Sequence, residues 1–167
     1  MTRAAETVAK TSTFEDDIRE LMPALLAYFV RRVRLQEDAA DCLSETLVVL
    51  WRRRADLPTD PDAKRAWTFG IARGVLANQR RGRVRRTQLA DRLRGEVAVQ
   101  VPGAAGHPDL RDALDALPER DRELVALIVW DGFGVAEAGQ ALGLKPDAAR
   151  ARYSRARKRL RATLSAE

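Results

Sequence analysis

Residues 134–161 constrain the fold of this chain more than any other stretch. Residues 135–142 have the length of a short helix, and Gly143 favours its end, because glycine adopts the left-handed conformation in which many helices terminate. Pro146 then suits the first turn of a new helix. The spacing predicts two helices joined by a tight turn. This pattern is typical of the helix-turn-helix, whose second helix enters the major groove of DNA.

The second helix of this pair separates an apolar stripe from a basic surface. Asp147 is the only acidic residue between positions 145 and 161. A basic amphipathic helix can also be a solvated surface or a binding site for membranes or partner proteins. The small Ala138 and Gly139 of the preceding helix allow two helices to cross closely, which favours DNA binding. The polar positions outside the stripe are Arg150, Arg152, Ser154, Arg155, Arg157, Lys158, Arg159 and Arg161.

Composition limits the classes of function that the chain can have. Its 167 residues suffice for one ordinary domain or two small ones, and its net charge of +6 favours a polyanionic partner such as nucleic acid. With Cys42 and His107 as the only cysteine and histidine, no internal disulfide is possible, and the pair alone cannot form a zinc site. Nucleotide-binding glycine motifs, long apolar runs and a signal-peptide core are absent from the sequence. We therefore expect a cytoplasmic protein that is not an enzyme and uses no cofactor or metal.

The first part of the chain has helical periodicity and no strand signals. We expect residues 1–12 to form a disordered tail, and Thr13 and Asp16 to start the first helix as a capping box. Apolar residues recur at helical spacing from Ile18 to Val33, and Pro23 within this pattern predicts a kink or a break into two helices.

The next predicted helix, about residues 36–54, has two distinct faces. Its inward stripe is expected to comprise Ala39, Leu43, Leu47, Leu50 and Trp51. The other face is acidic, which is unusual in so basic a protein, although solubility and the helix dipole also account for such a face. That face carries Glu37, Asp41, Ser44, Glu45 and Val48.

The remainder of the chain divides into a third helix, a connector and a second group of helices. A loop at residues 54–62 precedes the third helix, which Asp62 is expected to cap and which should end near residue 81. The dense arginines from position 80 to position 94 indicate either a phosphate-binding edge or a solvated helix end. Residues 96–108 lack periodicity. Four helices are predicted after them, with Phe133 packed beneath the helix-turn-helix.

This pattern predicts an all-α protein of two small helical domains joined by a flexible linker. The expected boundaries are a tail at 1–12, a helical bundle at 13–86, a linker at 87–109 and a helix-turn-helix domain at 110–164.

Four segments match the motifs of one protein family. Residues 40–47, ADCLSETL, are similar to A-x-D-L-x-Q-E-T-F, and residues 67–73, WTFGIAR, to W-L-x-x-I-A-R-N. Residues 114–123, LDALPERDRE, match L-x-x-L-P-x-x-x-R-E, and residues 148–157, AARARYSRAR, are similar to T-V-K-S-R-L-x-R-A-R. In this order, the segments resemble the extracytoplasmic-function sigma factors, the small two-domain group of the bacterial sigma-seventy family. The chain departs from the family pattern at Ser44, Gly74, Gly134 and Ala151.

The resemblance implies a sigma region 2 bundle, a sigma region 4 helix-turn-helix and the function of a sigma factor. Such a protein binds core RNA polymerase, directs it to specific promoters and assists DNA opening. The implied partners are the β′ clamp helices and the β flap of the polymerase, promoter DNA and an anti-sigma factor. A small-molecule substrate and insertion into a membrane are not implied. Docking on the polymerase is assigned to Glu37, Asp41, Ser44, Glu45 and Val48.

The resemblance also implies two DNA-binding surfaces. Capture of the unpaired minus-ten bases requires positive charge along the strand and pockets for bases. It is assigned to Arg54, Asp56, Thr59, Asp60, Lys64, Arg73, Arg80 and Arg81. Recognition of the minus-thirty-five element is assigned to Arg150, Ala151, Ser154, Arg155, Arg157 and Lys158.

Two other functions fit parts of the sequence. A stand-alone helix-turn-helix regulator would bind duplex DNA without joining the polymerase, but it would not require the acidic helix and its adjoining loop. A sigma-like decoy that sequesters a regulator would not require an intact arginine-rich helix. An enzyme is the least supported class.

Overall fold

A computed structural model of the chain describes residues 2–33, 35–94 and 108–164, with side chains described at 14–33, 35–82, 110 and 112–164. Within these residues the secondary structure is helical and contains no strand. A short 3₁₀ turn, Arg54–Asp56, follows the second helix. The helices are α1 (Thr2–Val30), α2 (Gln36–Arg52), α3 (Pro61–Arg94), α4 (Pro108–Asp115), α5 (Glu119–Val129), α6 (Val135–Ala141) and α7 (Pro146–Leu164).

The first helix is longer than the sequence predicts. It runs without a break through Pro23 and already includes residues 2–12, so the expected tail, the helix start at Thr13 and the break into two helices are wrong. Pro23 lies on the exposed side of α1, where the Arg19 carbonyl that lacks its helical donor can reach water. Buried Ile18 and Leu25 anchor the helix to the core on either side of the proline.

Helix α2 buries Ala39 and Leu50 of the predicted stripe, and Leu43 and Leu47 pack half-buried against the core. Its fully buried residues are Ala39, Cys42, Thr46 and Leu50. The Thr46 hydroxyl donates a 2.7 Å hydrogen bond to the carbonyl of Cys42, which allows this polar side chain to be buried. Trp51 was expected to point inward, but it is 44% exposed.

Helix α3 begins with a cap from Asp60 rather than from Asp62. Asp60 Oδ2 accepts a 2.8 Å hydrogen bond from the backbone N–H of Ala63, and Pro61 occupies the first helical position. The helix continues to Arg94, so its predicted end near residue 81 is wrong. Its basic extension lacks proline and is rich in good helix formers. Residues 95–107 of the expected linker lie outside the described residues.

The helix-turn-helix forms as predicted. Gly143 has a φ of 66°, and the turn is closed by hydrogen bonds from Leu144 N to Gly139 O (2.8 Å) and from Gly143 N to Gln140 O (3.0 Å). A Cβ on Gly139 would lie 2.5 Å from the Cβ of Ala149. The absence of a side chain at position 139 is therefore what allows α6 and α7 to cross so closely.

The two halves of the protein share one core. A continuous buried cluster includes Phe29 and Phe69 from the first half and Leu124, Leu127 and Phe133 from the second. The Phe133 ring packs edge-to-face against Phe69 of α3, with ring centroids 4.8 Å apart. A smaller cluster of Leu114, Leu117, Val125 and Ala156 lies within the second half.

Candidate nucleic-acid and partner interfaces

The solvent-facing side of α7 carries a continuous basic surface. A shallow cavity of about 380 Å³ lies along it and is lined by Val135, Arg150, Tyr153, Ser154, Arg157, Lys158 and Arg161. Arg150 pairs with Asp147 at 2.8 Å, and its side chain is still 62% exposed. The structure therefore brings together every predicted minus-thirty-five residue in an exposed position: Arg150, Ala151, Ser154, Arg155, Arg157 and Lys158.

One arginine of α7 is committed to the fold instead. Arg152 Nη1 donates a 2.7 Å hydrogen bond to Asp121 of α5, whose side chain is only 8% exposed. Ala149 and Ala156 are fully buried on the neighbouring side of the helix. These contacts fix the rotation of α7 about its axis, and thereby determine which arginines point away from the domain.

The acidic face of α2 is exposed along its whole length. Glu37, Asp41 and Glu45 form no ion pair with another described residue. Ser44 on the same face donates a 2.9 Å hydrogen bond to the carbonyl of Ala40. Val48 is 48% exposed and adds an apolar group to the charged surface.

Trp51 extends this face, and the sequence interpretation missed it. It follows Val48 at the i+3 spacing that places two residues on one side of a helix. The Arg54 guanidinium lies 4.6 Å from the centroid of the Trp51 ring, and Phe14 packs edge-on against that ring. The same i+3 spacing was the available signal. Trp51 also follows Leu47 at i+4, however, and periodicity alone does not choose between the two faces.

The predicted minus-ten residues fall into two groups. Arg54, Asp56, Thr59 and Asp60 lie together in the 3₁₀ turn and the loop before α3, and all four are exposed. Arg53 pairs with Asp56 at 3.2 Å and holds the turn. The remaining candidates are spread along α3.

The candidates on α3 are engaged within the protein. Lys64 forms a 2.7 Å ion pair with Asp17 of α1, and Arg73 forms a 3.0 Å ion pair with Glu123 of α5. Arg80 Nη2 lies 3.4 Å from the carbonyl oxygen of Arg32, and Arg81 donates to the side chain of Asn78. From position 64 to position 81 a helix rises about 26 Å, so these four residues do not form one compact site.

The described part of the chain offers no metal centre. No group of three or more histidine, cysteine, aspartate or glutamate side chains among these residues is arranged to hold a metal ion. None of the described helices combines the length and the apolar character needed to span a membrane.

Comparison with known protein families assigns both halves of the chain. The family model "Sigma-70 region 2" matches residues 18–86, and "Sigma-70, region 4" matches residues 107–160. The chain is 30% identical over 159 residues to the ECF RNA polymerase sigma factor EcfG of Rhodopseudomonas palustris, covering 92% of this chain and 86% of that protein. It is also 30% identical over 152 residues to the ECF RNA polymerase sigma factor SigF of Caulobacter vibrioides, covering 90% of this chain and 84% of that protein.

Solved structures agree with this assignment. The sigma factor RpoE of Bartonella quintana, in complex with the anti-sigma factor NepR, superposes with a TM-score of 0.66 at 29% identity, over 92% of this chain and 97% of that chain. CnrH in complex with the cytosolic domain of CnrY superposes with a TM-score of 0.59 at 26% identity, over 94% of this chain and 90% of that chain. The sequence matches and the two-part helical fold together show that the chain belongs to the ECF sigma factors of RNA polymerase.

Proposed function

We propose that this sigma factor uses three separate surfaces for three binding roles. The exposed face of α2 docks on core RNA polymerase, the 3₁₀ turn and the loop before α3 capture the unpaired minus-ten strand, and α7 reads the minus-thirty-five element. On this account the protein acts in the cytoplasm, catalyses no reaction itself and uses no cofactor.

One observation carries this proposal: two exposed surfaces of opposite charge lie on different helices, and the core of the fold requires neither. The α2 face presents Glu37, Asp41 and Glu45 beside the apolar Val48 and Trp51. A half-exposed tryptophan among charged groups is typical of a protein interface. The α7 face presents Arg150, Arg157 and Lys158 along a cavity of about 380 Å³, and cationic side chains on a helix of this kind contact DNA phosphates and base edges.

The α2 face distinguishes a sigma factor from a stand-alone DNA-binding regulator. A regulator of that class needs only the basic surface of α7, and its acidic residues would serve solubility. A continuous acidic and apolar face whose carboxylates form no ion pair with the other described residues fits a protein partner of complementary charge. We assign that partner to the clamp helices of the polymerase β′ subunit, and we place the β flap against the second domain.

An anti-sigma factor is part of the same proposal. Both solved structures described above are sigma factors in complex with a second protein, NepR or CnrY. Large apolar side chains are exposed on both halves of this protein, among them Leu26 and Val30 of α1 and Val129 and Trp130 at the end of α5. Such side chains are available to a regulatory partner.

Charge reversal on α2 tests the docking assignment. Asp41→Lys combined with Glu45→Lys should weaken binding of core polymerase tenfold or more, because two attractive contacts become repulsive. The matched control is Glu15→Lys with Glu20→Lys, which makes the same change of charge at exposed positions on α1. Binding is measured by fluorescence titration against purified core enzyme. Equal affinities for the two double variants would contradict the assignment.

A further inference from the structure

Helix α7 is packed against its domain mainly through small side chains. Its fully buried residues, Ala149 and Ala156, are both alanines. Helices set their relative orientation by fitting ridges of side chains into grooves, and a methyl group adds little to such a ridge. The larger Tyr153 and Leu160 pack against the core but are only half-buried. Apolar packing therefore keeps α7 close to the domain, but it sets the rotation of the helix about its own axis only loosely.

A buried ion pair supplies the directional contact that the alanines lack. Arg152 Nη1 donates its 2.7 Å hydrogen bond to Oδ1 of Asp121, which lies in the first turn of α5. The Asp121 side chain is 8% exposed and the Arg152 side chain is 32% exposed. A charge-assisted hydrogen bond is strong, and it weakens steeply as its angle departs from linear. The pair therefore resists rotation of α7 relative to α5.

The cavity along the basic surface lies on the other side of α7 from this ion pair. Its volume is about 380 Å³, and its lining includes Val135 of α6 together with Tyr153 and Arg157 of α7. This space leaves room for α7 to turn towards the N-terminal end of α6. Packing does not block such a turn, so the ion pair on the far side of the helix is what opposes it.

A small rotation of α7 is enough to misplace a contact with a base. Successive residues of a helix are about 100° apart, so Arg150 projects about 200° from Arg152, on nearly the opposite side of α7. At a radius of about 6 Å, a rotation of about 20° moves a side chain by about 2 Å. A binding geometry has to be held to within about 0.5 Å to be productive. The rotation that the ion pair prevents would therefore remove a specific hydrogen bond.

We propose that Asp121 and Arg152 are positioning residues for recognition of the minus-thirty-five element. The pair sets the rotation at which α7 presents Arg150 to a base edge, and it does so without contacting the DNA itself. A phosphate contact such as that assigned to Lys158 depends less on this rotation, because the lysine stem is flexible and its charge has no preferred direction. The inference rests on the proposed function, since the rotation of α7 matters for specificity only if α7 reads bases.

Selection from random duplexes supplies the DNA for the test. Holoenzyme formed from core polymerase and the unaltered protein is incubated with duplexes of random sequence, and the bound fraction is sequenced. Each variant holoenzyme is then titrated with the most enriched duplex and with a scrambled duplex of the same composition. The ratio of the two affinities measures specificity. A partly unfolded variant does not distort this ratio, because inactive protein lowers both apparent affinities equally.

Removal of the Asp121 carboxylate tests the positioning role. Asp121→Ala should lower the affinity ratio about fivefold or more, the loss expected when one base contact is misplaced. The variant should keep its helical content in circular dichroism, because Arg152 is partly exposed and water can replace its partner. The control is Asp115→Ala, which removes the same charge from an ion pair with Arg122 in the same half and should leave the ratio unchanged. Equal ratios for the two variants would overturn the proposal.

Combination with Arg150→Ala tests whether the ion pair acts through Arg150. Once Arg150 is removed, Asp121→Ala should lower the affinity ratio little further, because two changes that remove the same contact are not additive. Fully multiplied losses in the double variant would show that the pair does not position Arg150. If the unaltered holoenzyme enriches no sequence at all, the proposed function fails. If it enriches a motif that Asp121→Ala binds with unaltered specificity, only the present inference fails.

Discussion

The environment of Cys42 makes its thiol unreactive. Its Sγ atom lies 3.2 Å from Gln79 Oε1, and it is 1% exposed. Burial, followed by the nearby carboxylates of Glu45, Asp38 and Asp41, raises the pKa of the thiol to about 11. The thiol therefore stays protonated in the native protein at neutral pH, and a redox role on the docking helix is disfavoured.

Alkylation measures this protection. At pH 8 the native protein should react with iodoacetamide at least 100-fold more slowly than the urea-unfolded protein, because both access and ionisation are suppressed. A cysteine introduced at the exposed Glu20 position, in a Cys42→Ser background, is the control and should react at similar rates in both states. Between about pH 9 and pH 11 this thiol ionises in the unfolded chain but not in the native protein. The free energy of unfolding therefore falls as the pH rises through this range. Rapid native alkylation of Cys42 would contradict the account.

Two cations at different positions along α7 should have different effects on DNA binding. Arg150 lies near the start of the helix and is assigned to a base edge, a contact that discriminates by about 1–3 kcal/mol. Lys158, two turns further on, is assigned to a phosphate, which carries no sequence information. Arg150→Ala should reduce the preference for promoter over scrambled DNA, whereas Lys158→Ala should weaken both equally. Equal losses on both duplexes for Arg150→Ala would remove that assignment.

At the scale of elements, local signals predicted the helix-turn-helix and missed other features. Gly143 and Pro146 act within one turn of the chain, so their effect can be read from the sequence. Whether α1 continues through Pro23 or breaks there depends on whether tertiary packing holds the helix on both sides of the proline. The side of α2 on which Trp51 lies depends in the same way on its contact with Phe14 of α1. The periodicity of the sequence gives no information about that contact. The exposed residues of α2 and α7 were predictable because each lies opposite a regular apolar stripe.

Glycine substitutions test how α6 and α7 cross. Gly139→Ala should destabilise the protein by about 1–3 kcal/mol, because the new methyl group would overlap Ala149. Gly74→Ala is the matched control: it also lies within a helix, a Cβ added there would meet no atom within 4 Å, and it should stabilise by about 0.5–1 kcal/mol. Urea unfolding measures both changes. A Gly139→Ala protein as stable as Gly74→Ala would contradict the close crossing.

For the whole molecule, the all-α class and the exposed charged faces of α2 and α7 followed from the sequence, but the packing of the two halves did not. Arg32 and Asp131 are 99 residues apart in the chain, and no local pattern links them. Phe133 was expected to pack beneath the helix-turn-helix, and it does share a buried cluster with Ala138 of α6, but its ring also packs against Phe69 of the other half, which was not expected. Contacts of this kind depend on how two finished domains fit together, and a single sequence carries no periodic signal for that fit.

Transcription in a purified system tests the central claim, that one chain uses separate surfaces to join polymerase to promoter DNA. Core polymerase is supplied with a library of duplexes of random sequence, with and without this protein. The account predicts transcripts with defined start sites only when the protein is present, and enriched templates that share two separate motifs upstream of the start site, the minus-ten and the minus-thirty-five element. Transcription that does not depend on the protein, or enrichment of a single motif alone, would contradict it.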